Sequence, residues 1–141
     1  MDILIDFDGT CVSHEFPKIG KSIGAEPILR MLVEDGHRLI LFTMRSDIKN
    51  PVSSNPMIVT KGGNYLTDAI NWFAKNNIPL YGIQINPTQK NWTTSPKAYG
   101  ELMIDDSALG CPLKYDESIS KRPFVDWVEV YNILFRMGIL K

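Results

Sequence analysis

Four short apolar runs, separated by segments of helical periodicity, constrain the fold of this chain more than any other feature. The runs occupy residues 3–7, 39–43, 81–85 and 102–104. They are continuous rather than alternating, which is typical of strands buried on both faces of a parallel sheet. The sequence therefore predicts a mostly parallel central sheet.

The segments between and after these runs carry apolar residues at helical spacing. The first pattern ends near Gly36, a residue type suited to the end of a helix. The second ends near Asn76, and the third is predicted to begin at Pro123 and to end at Gly138. The third helix is expected to bury Phe124, Trp127, Val128, Tyr131 and Phe135. Strands that alternate with helices form βαβ units, so we expect an α/β fold whose sheet is covered on both sides.

Length and composition limit the classes of protein that fit. A chain of 141 residues with 44% apolar residues predicts one globular domain over residues 1–141. No apolar run approaches the roughly 18 residues of a membrane span, and the first residues do not resemble a signal peptide. We therefore expect a cytoplasmic protein without a membrane partner. A net charge of −1 without long basic runs predicts no nonspecific nucleic-acid binding. Cys11 and Cys111 are expected to be buried or half-buried thiols, since two cysteines make no disulfide framework.

Two segments rich in Pro, Gly, Ser, Thr or Asn fit neither pattern, and they span residues 46–64 and 86–98. Each follows a predicted strand, so both are expected at the carboxyl edge of the sheet, where open α/β sheets bind ligands. Connections longer than about 12–15 residues tend to be functional or disordered. Composition leaves a ligand-binding role and a plain surface loop open for both.

Acidic residues follow the first and the last of the predicted strands. Asp6 and Asp8 lie at the end of the first run, and alternation along a strand places them on the same side. Asp105 and Asp106 follow the last run, so a third carboxylate is expected at the same edge. Crowded carboxylates repel unless a cation compensates them. Oxygen ligands without a His or Cys cluster indicate Mg²⁺.

A metal held by carboxylates suits a phosphorylated substrate. The backbone around Gly9 and the hydroxyl of Thr43 are candidates to bind phosphoryl oxygens, and Lys97 or Lys90 to neutralise their charge. One carboxylate can then attack phosphorus while another handles the leaving-group proton. Arg45 either binds a substrate anion or pairs with a structural carboxylate.

These strings resemble the motifs of the haloacid dehalogenase superfamily over residues 2 to about 110. The sequence Asp-Phe-Asp-Gly-Thr at residues 6–10 resembles motif I, residues 41–43 resemble motif II, and residues 102–106 resemble motif IV. Motif III is a single lysine, for which Lys97 is the candidate. The resemblance implies a Rossmann-like three-layer sandwich, Mg²⁺ dependence and an aspartyl-phosphate intermediate.

The resemblance also assigns roles to the matching positions. It makes Asp6 the nucleophile and a metal ligand, and Asp8 the general acid and base, with its backbone carbonyl on the metal. Thr43 would bind phosphate, Lys97 would steady the nucleophile and the phosphate, and Asp105 would complete the metal site. Whether Asp105 or Asp106 is the principal ligand stays open.

The second motif I carboxylate distinguishes between chemistries. A departing halide needs no proton, whereas an alkoxide does, so Asp8 favours phosphoryl transfer. The spacing between Asp8, Thr43 and Lys97 leaves no room for a large cap domain. We therefore expect a Mg²⁺-dependent phosphomonoester hydrolase acting on a phosphorylated substrate of unknown identity. The alternatives are a phosphate- or metal-binding module without turnover and a receiver-like phosphoacceptor domain.

Overall fold

The computed structural model describes residues 1–49 and 62–141. The predicted loop 46–64 therefore lies largely outside the described residues. The strands are β1 (Asp2–Ile5), β2 (Arg38–Leu41), β3 (Asp47–Ile48), β4 (Gly63–Asn64), β5 (Gly82–Ile83), β6 (Leu102–Ile104), β7 (Leu113–Lys114) and β8 (Phe124–Val125). The helices are α1 (Ala25–Glu34), α2 (Tyr65–Lys75) and α3 (Trp127–Arg136). A 3-10 turn spans Gln89–Asn91.

Four of the strands form the central sheet in the order β5-β2-β1-β6. All of its pairings are parallel, and Ile3 of β1 pairs with Leu39 on one side and Leu102 on the other. β3 pairs with β4 and β7 pairs with β8 as separate antiparallel pairs. The predicted α/β fold with a parallel central sheet is confirmed, and the four apolar runs all contribute strands to it.

The helices pack against one face of this sheet. Residues 3, 5, 39 and 41 share a core cluster with buried residues of all three helices. Leu4 and Ile40 point the other way and pack against Ala98, which belongs to the irregular segment between β5 and β6. The expected three-layer sandwich is therefore corrected: the second face is covered by this segment and not by a described helix. Prolines and Ser/Thr residues break helical periodicity there, which explains the difference.

The segment that covers this face, residues 86–99, is called the covering segment. It folds back along the sheet and does not stay at the carboxyl edge. A side chain on Gly82 would collide with the backbone of Ile85 and the ring of Pro87, so the chain reverses closely over β5. Asn86 Nδ2 then donates to Asp2 Oδ2 at 2.7 Å, at the amino end of β1. The expectation that residues 86–98 emerge at the ligand-binding edge is wrong for this reason.

Two buried amide side chains hold the covering segment together. Gln89 accepts from the N–H groups of Asn86 and Tyr99 at 3.1 and 2.9 Å. The same side chain donates to the carbonyls of Ser95 and Lys97 at 3.3 and 2.9 Å. The segment is therefore ordered by hydrogen bonds rather than by an apolar core of its own.

The end of the chain differs from the sequence-based expectation. Phe124 is buried, as predicted, but it lies in β8, and α3 begins at Trp127 after Asp126 caps it by accepting from Val128 and Glu129 N–H groups. Val128 and Phe135, also predicted to be buried, are 69% and 56% exposed. The aspartate cap, a strong helix-start signal, outweighs Pro123. Within the described ranges, no helix combines the length and apolarity needed to cross a bilayer.

The two cysteines match their prediction. Cys11 is buried and Cys111 is half-buried, and both are free thiols. Burial raises the pKa of both thiols. A thiol held protonated is a poor nucleophile, so neither cysteine is placed in the reactive machinery.

Candidate functional site

Asp6 occupies the first position after β1, at the carboxyl edge of the sheet. Its backbone N–H donates to the Ile104 carbonyl at 3.1 Å, which holds the end of β6 beside it. Thr10 Oγ1 donates to Asp6 Oδ2 at 2.8 Å, and the Asp106 N–H donates to Thr10 Oγ1 at 3.0 Å. The hydroxyl of Thr10 therefore links the ends of the two strands.

The turn after Asp6 depends on Gly9, whose φ of 82° is in the left-handed region. A side chain at this position would overlap the ring of His14 and the carboxylate of Asp106. The Gly9 N–H donates to the Val12 carbonyl at 2.7 Å. The Gly9 N–H is therefore used within the turn, and the expectation that the backbone around Gly9 binds phosphate stays a prediction.

Three carboxylates form the candidate metal site. Asp6, Asp105 and Asp106 each place one oxygen so that all three lie within 4.8 Å of one another. The sequence-based set was Asp6, Asp8 and Asp105. The structure brings Asp106 into the group and directs the Asp8 side chain to Arg45. The contribution of the Asp8 backbone carbonyl stays a prediction.

The environment of Asp6 disfavours its ionised form. Burial raises the pKa of Asp6 to about 7, and the negative charges of Asp105 and Asp106 act in the same direction. The hydrogen bond from Thr10 opposes the rise in pKa but does not cancel it. A cation held between these carboxylates would favour the ionised form that a nucleophile requires.

Asp105 and Asp106 have different second partners. Ser107 donates its N–H and its hydroxyl to Asp105 Oδ1 at 2.8 and 2.7 Å. His14 Nε2 lies 2.7 Å from Asp106 Oδ2. Each carboxylate therefore keeps its other oxygen for a ligand. His14 was missed at the sequence level, because a lone histidine eight residues after Asp6 has no motif around it.

Asp8 and Arg45 form a two-pronged ion pair. Arg45 Nε donates to Asp8 Oδ2 at 2.7 Å and Nη2 donates to Oδ1 at 2.8 Å. The Arg45 side chain is 1% exposed and that of Asp8 is 15% exposed. Of the two roles left open for Arg45, the structure shows the pairing with a carboxylate.

Thr43 is half-buried beyond β2 and is held by Gln84. The Thr43 N–H donates to Gln84 Oε1 at 2.9 Å, and Gln84 Nε2 donates to the Thr43 carbonyl at 2.7 Å. Gln84 has a φ of 65°, a conformation that is unusual outside glycine. Thr43 Oγ1 accepts from the Arg45 N–H at 3.1 Å, so the hydroxyl proton stays available to a phosphoryl oxygen.

Lys97 is not brought to the carboxylates by any described contact. Its side chain is exposed, as is that of Lys90. Within residues 1–49 and 62–141, no ion pair involves either ammonium. Lys97 precedes Gly100, which packs against Leu4 on the face away from the helices. Its assignment to motif III stays a prediction without a structural contact behind it.

Comparison with solved structures gives one extensive likeness. A conserved protein of Bacteroides thetaiotaomicron matches with a TM-score of 0.70 and 28% identity, over 97% of this chain and 91% of that chain. The Rossmann-like α/β fold is therefore shared along almost the whole length. No family model matches the sequence, and no curated protein matches it.

Proposed function

We propose that this protein is a Mg²⁺-dependent phosphomonoester hydrolase of the haloacid dehalogenase type, with Asp6 as its nucleophile. The observation that carries the proposal is the position of Asp6 among three carboxylates at the carboxyl edge of a parallel sheet. Ligands of open α/β sheets bind at this edge. The string Asp-Phe-Asp-Gly-Thr that begins at Asp6 supplies the resemblance to the superfamily.

The donor set fits a hard divalent cation. Asp6, Asp105 and Asp106 offer only oxygen ligands, and their oxygens lie within 4.8 Å of one another. Mg²⁺ binds through few carboxylates and keeps several waters. When bound, the metal would neutralise carboxylate charge and the charge of the phosphoryl group.

The reaction proceeds in two displacements. An oxygen of Asp6 attacks phosphorus, the bond from phosphorus to the leaving oxygen breaks, and Asp8, which enters this displacement protonated, gives that oxygen its proton and becomes a carboxylate. Water then attacks the phosphorus of the aspartyl-phosphate, Asp8 takes up a proton from the water, and the bond to Asp6 breaks. The Thr43 hydroxyl donates to a phosphoryl oxygen during both displacements.

Phosphate release from a panel of phosphate monoesters, with Mg²⁺ and with EDTA, tests the proposal. We expect release that requires Mg²⁺, and mass spectrometry of acid-quenched enzyme should find a phosphoryl group on the peptide that contains Asp6. Stabilisation of the protein by Mg²⁺, without phosphate release from any ester, would instead favour a binding module. Release that persists in EDTA would contradict the metal requirement.

A further inference from the structure

Arg45 is the most enclosed cation beside the candidate site. A guanidinium has five N–H groups, and all five of Arg45 reach acceptors of the protein itself. Two donate to the Asp8 carboxylate, one to each oxygen, at 2.7 and 2.8 Å. The others donate to the backbone carbonyls of Pro17, Lys18 and Tyr65 at 3.3, 2.8 and 3.3 Å.

Aromatic rings fix the guanidinium further. Its central carbon lies 5.0 Å from the ring centroid of Phe7 and 5.1 Å from that of Phe16, within the range of cation–π attraction. With every N–H donating within the protein, Arg45 has no donor left for a substrate anion in this arrangement. Any effect of Arg45 on a reaction must therefore act through Asp8, whose carboxylate it binds.

The chain segments that meet at Arg45 come from separate parts of the sequence, and they also contact one another, since the ring centroids of Phe16 and Tyr65 lie 5.2 Å apart. Phe7 and Asp8 belong to motif I, Phe16 to Lys18 belong to the connection before α1, and Tyr65 begins α2. Arg45 itself is anchored by its N–H on the Thr43 hydroxyl at 3.1 Å. The orientation of the Asp8 carboxylate is thus set by a framework drawn from separate parts of the chain.

We propose that Arg45 is a positioning residue that holds the Asp8 carboxylate in the orientation needed for proton transfer. This inference rests on the proposed function, in which Asp8 exchanges protons with the leaving oxygen and with water. A carboxylate has about four lone-pair sites on its two oxygens, so each Asp8 oxygen keeps one site for the reacting group while Arg45 occupies the other.

Lysine is a poor substitute at such a position. Its ammonium is a compact charge without the planar fork that engages both oxygens of a carboxylate. A replacement by lysine keeps the charge and most of the stem but loses the two-pronged geometry. Arg45→Lys therefore separates the positioning role from the mere presence of a positive charge.

The test compares leaving groups of different acidity. Wild type, Asp8→Asn, Arg45→Lys, Arg45→Met and the double variant Asp8→Asn/Arg45→Met are assayed with p-nitrophenyl phosphate and with an alkyl phosphate. Asp8→Asn should lose about 100-fold in kcat on the alkyl ester, and clearly less on p-nitrophenyl phosphate, whose leaving group needs little protonation. Arg45→Met should show the same selective loss in kcat with KM within about threefold.

Three features of the result support the proposal together. The double variant should be no slower than Asp8→Asn, because both changes remove the same function. Arg45→Lys should recover less than a tenth of the lost rate, and added guanidinium ion should restore part of the rate of Arg45→Met. The matched control is Arg38→Met, which removes an arginine paired with Asp2 at the opposite end of the sheet and should keep both rates within about twofold.

Several results would overturn the inference. These are equal losses on both esters, a loss confined to KM, or additive losses in the double variant. If Arg45→Met does not fold, judged by circular dichroism, Arg45→Lys alone decides: a selective loss on the alkyl ester supports positioning and an unselective loss contradicts it. Absence of turnover by the wild type overturns the proposed function and this inference with it, whereas wild-type turnover with unselective Arg45 losses overturns only the inference.

Discussion

The two ends of the central strands carry the same kind of ion pair with opposite exposure. At the amino end, Arg38 Nε donates to Asp2 Oδ1 at 2.6 Å, and the arginine is 53% exposed while the aspartate is 5% exposed. At the carboxyl end, Arg45 is 1% exposed and Asp8 is 15% exposed. Both guanidinium groups lie near an aromatic ring. The central carbon of Arg38 is 4.5 Å from the ring centroid of Tyr81.

This difference shows which partner of an ion pair is left for chemistry. Both carboxylates accept hydrogen bonds on both oxygens, Asp2 from Arg38 and Asn86 and Asp8 from Arg45 alone, but Asp2 is the buried member of its pair, so this pair closes the amino end of the sheet. At the carboxyl end the arginine is enclosed and the carboxylate is the more open member. A buried cation that presents a carboxylate suits a reactive site, and a buried carboxylate under an exposed cation suits a structural one.

The largest expected effect separates the two ends by activity. Asp6→Asn removes the proposed nucleophile while keeping its shape, so kcat/KM should fall by at least about 1,000-fold. Asp2→Asn, at the other end of β1, should change kcat/KM less than twofold. Phosphate release by the two purified variants, each checked for folding by circular dichroism, measures the difference. Comparable losses in both would erase the functional contrast between the ends.

Stability should separate the two arginines. Arg45→Ala leaves the Asp8 carboxylate without its cation and removes the hydrogen bonds from Arg45 to three backbone carbonyls, and breaking a buried pair in this way costs about 3–5 kcal/mol. Arg38→Ala removes a half-exposed side chain, and Asn86 still holds Asp2, so its effect should be much smaller. Urea unfolding of the two variants gives both values. An equal loss would mean that enclosure is not what distinguishes the pairs.

The pH dependence of stability should reveal the strain at Asp6. Its pKa is raised to about 7 in the folded chain and is about 3.9 in an unfolded one. Between about pH 4 and pH 7, the folded state therefore binds a proton on Asp6 that the unfolded state does not. In EDTA, the free energy of unfolding should fall by about 1.4 kcal/mol for each pH unit from about 4 to about 7 from this group.

Asp6→Asn provides the control for that measurement, because it removes the titrating group. The variant should lose this part of the pH dependence and should be more stable than the wild type above pH 7 in EDTA. Urea unfolding at a series of pH values measures both. A wild type whose stability rises over the same interval relative to Asp6→Asn would contradict the assigned direction of the pKa shift.

Metal binding should be confined to the carboxyl end. Saturating Mg²⁺ should raise the melting temperature of the wild type, since a ligand of the folded state alone stabilises it by about 2.7 kcal/mol at 100 times its Kd. Asp105→Asn should lose most of this shift and Asp106→Asn less, because His14 already engages Asp106. Asp2→Asn should keep the full shift. Loss in Asp106→Asn with none in Asp105→Asn would reverse the choice of principal ligand.

The smallest expected effect concerns the lysines of the covering segment. The sequence assigns Lys97 a loss of about 2–4 kcal/mol of transition-state stabilisation on removal. Since its side chain is exposed and without an ion pair among the described residues, we expect Lys97→Ala and Lys90→Ala each to change kcat/KM less than about fivefold. A loss of about 30-fold or more in Lys97→Ala alone would restore its assignment to motif III.

Local pattern was sufficient to predict the sheet and part of the site. Buried parallel strands have continuous apolar runs, so their existence and order along the chain could be read directly. Their ends then placed Asp6, Asp105 and Asp106 at one edge without knowledge of any contact. These residues lie where they do because of strand topology, which short sequence patterns specify.

Features that depend on long-range contacts could not be read in this way. The approach of His14 to Asp106 joins residues 92 positions apart, and that of Gln84 to Thr43 joins residues 41 positions apart. The choice between anion binding and pairing for Arg45 depended on five acceptors from separate segments. The missing helical layer depended on two buried amides, Asn86 and Gln89, whose side chains resemble those of ordinary loop residues.

The amide-bonded covering segment has a consequence for how the molecule opens. One face of the sheet is protected by apolar packing with the helices, while Leu4 and Ile40 on the other face belong to a small cluster with Ala98, Phe42 and Tyr81. Local unfolding requires less free energy where few apolar contacts must be broken. Residues 86–99 should therefore unfold locally as a separate unit and expose the face of the sheet that they cover. The carboxylates of Asp6, Asp105 and Asp106 at the carboxyl ends of the strands should stay in place during this opening.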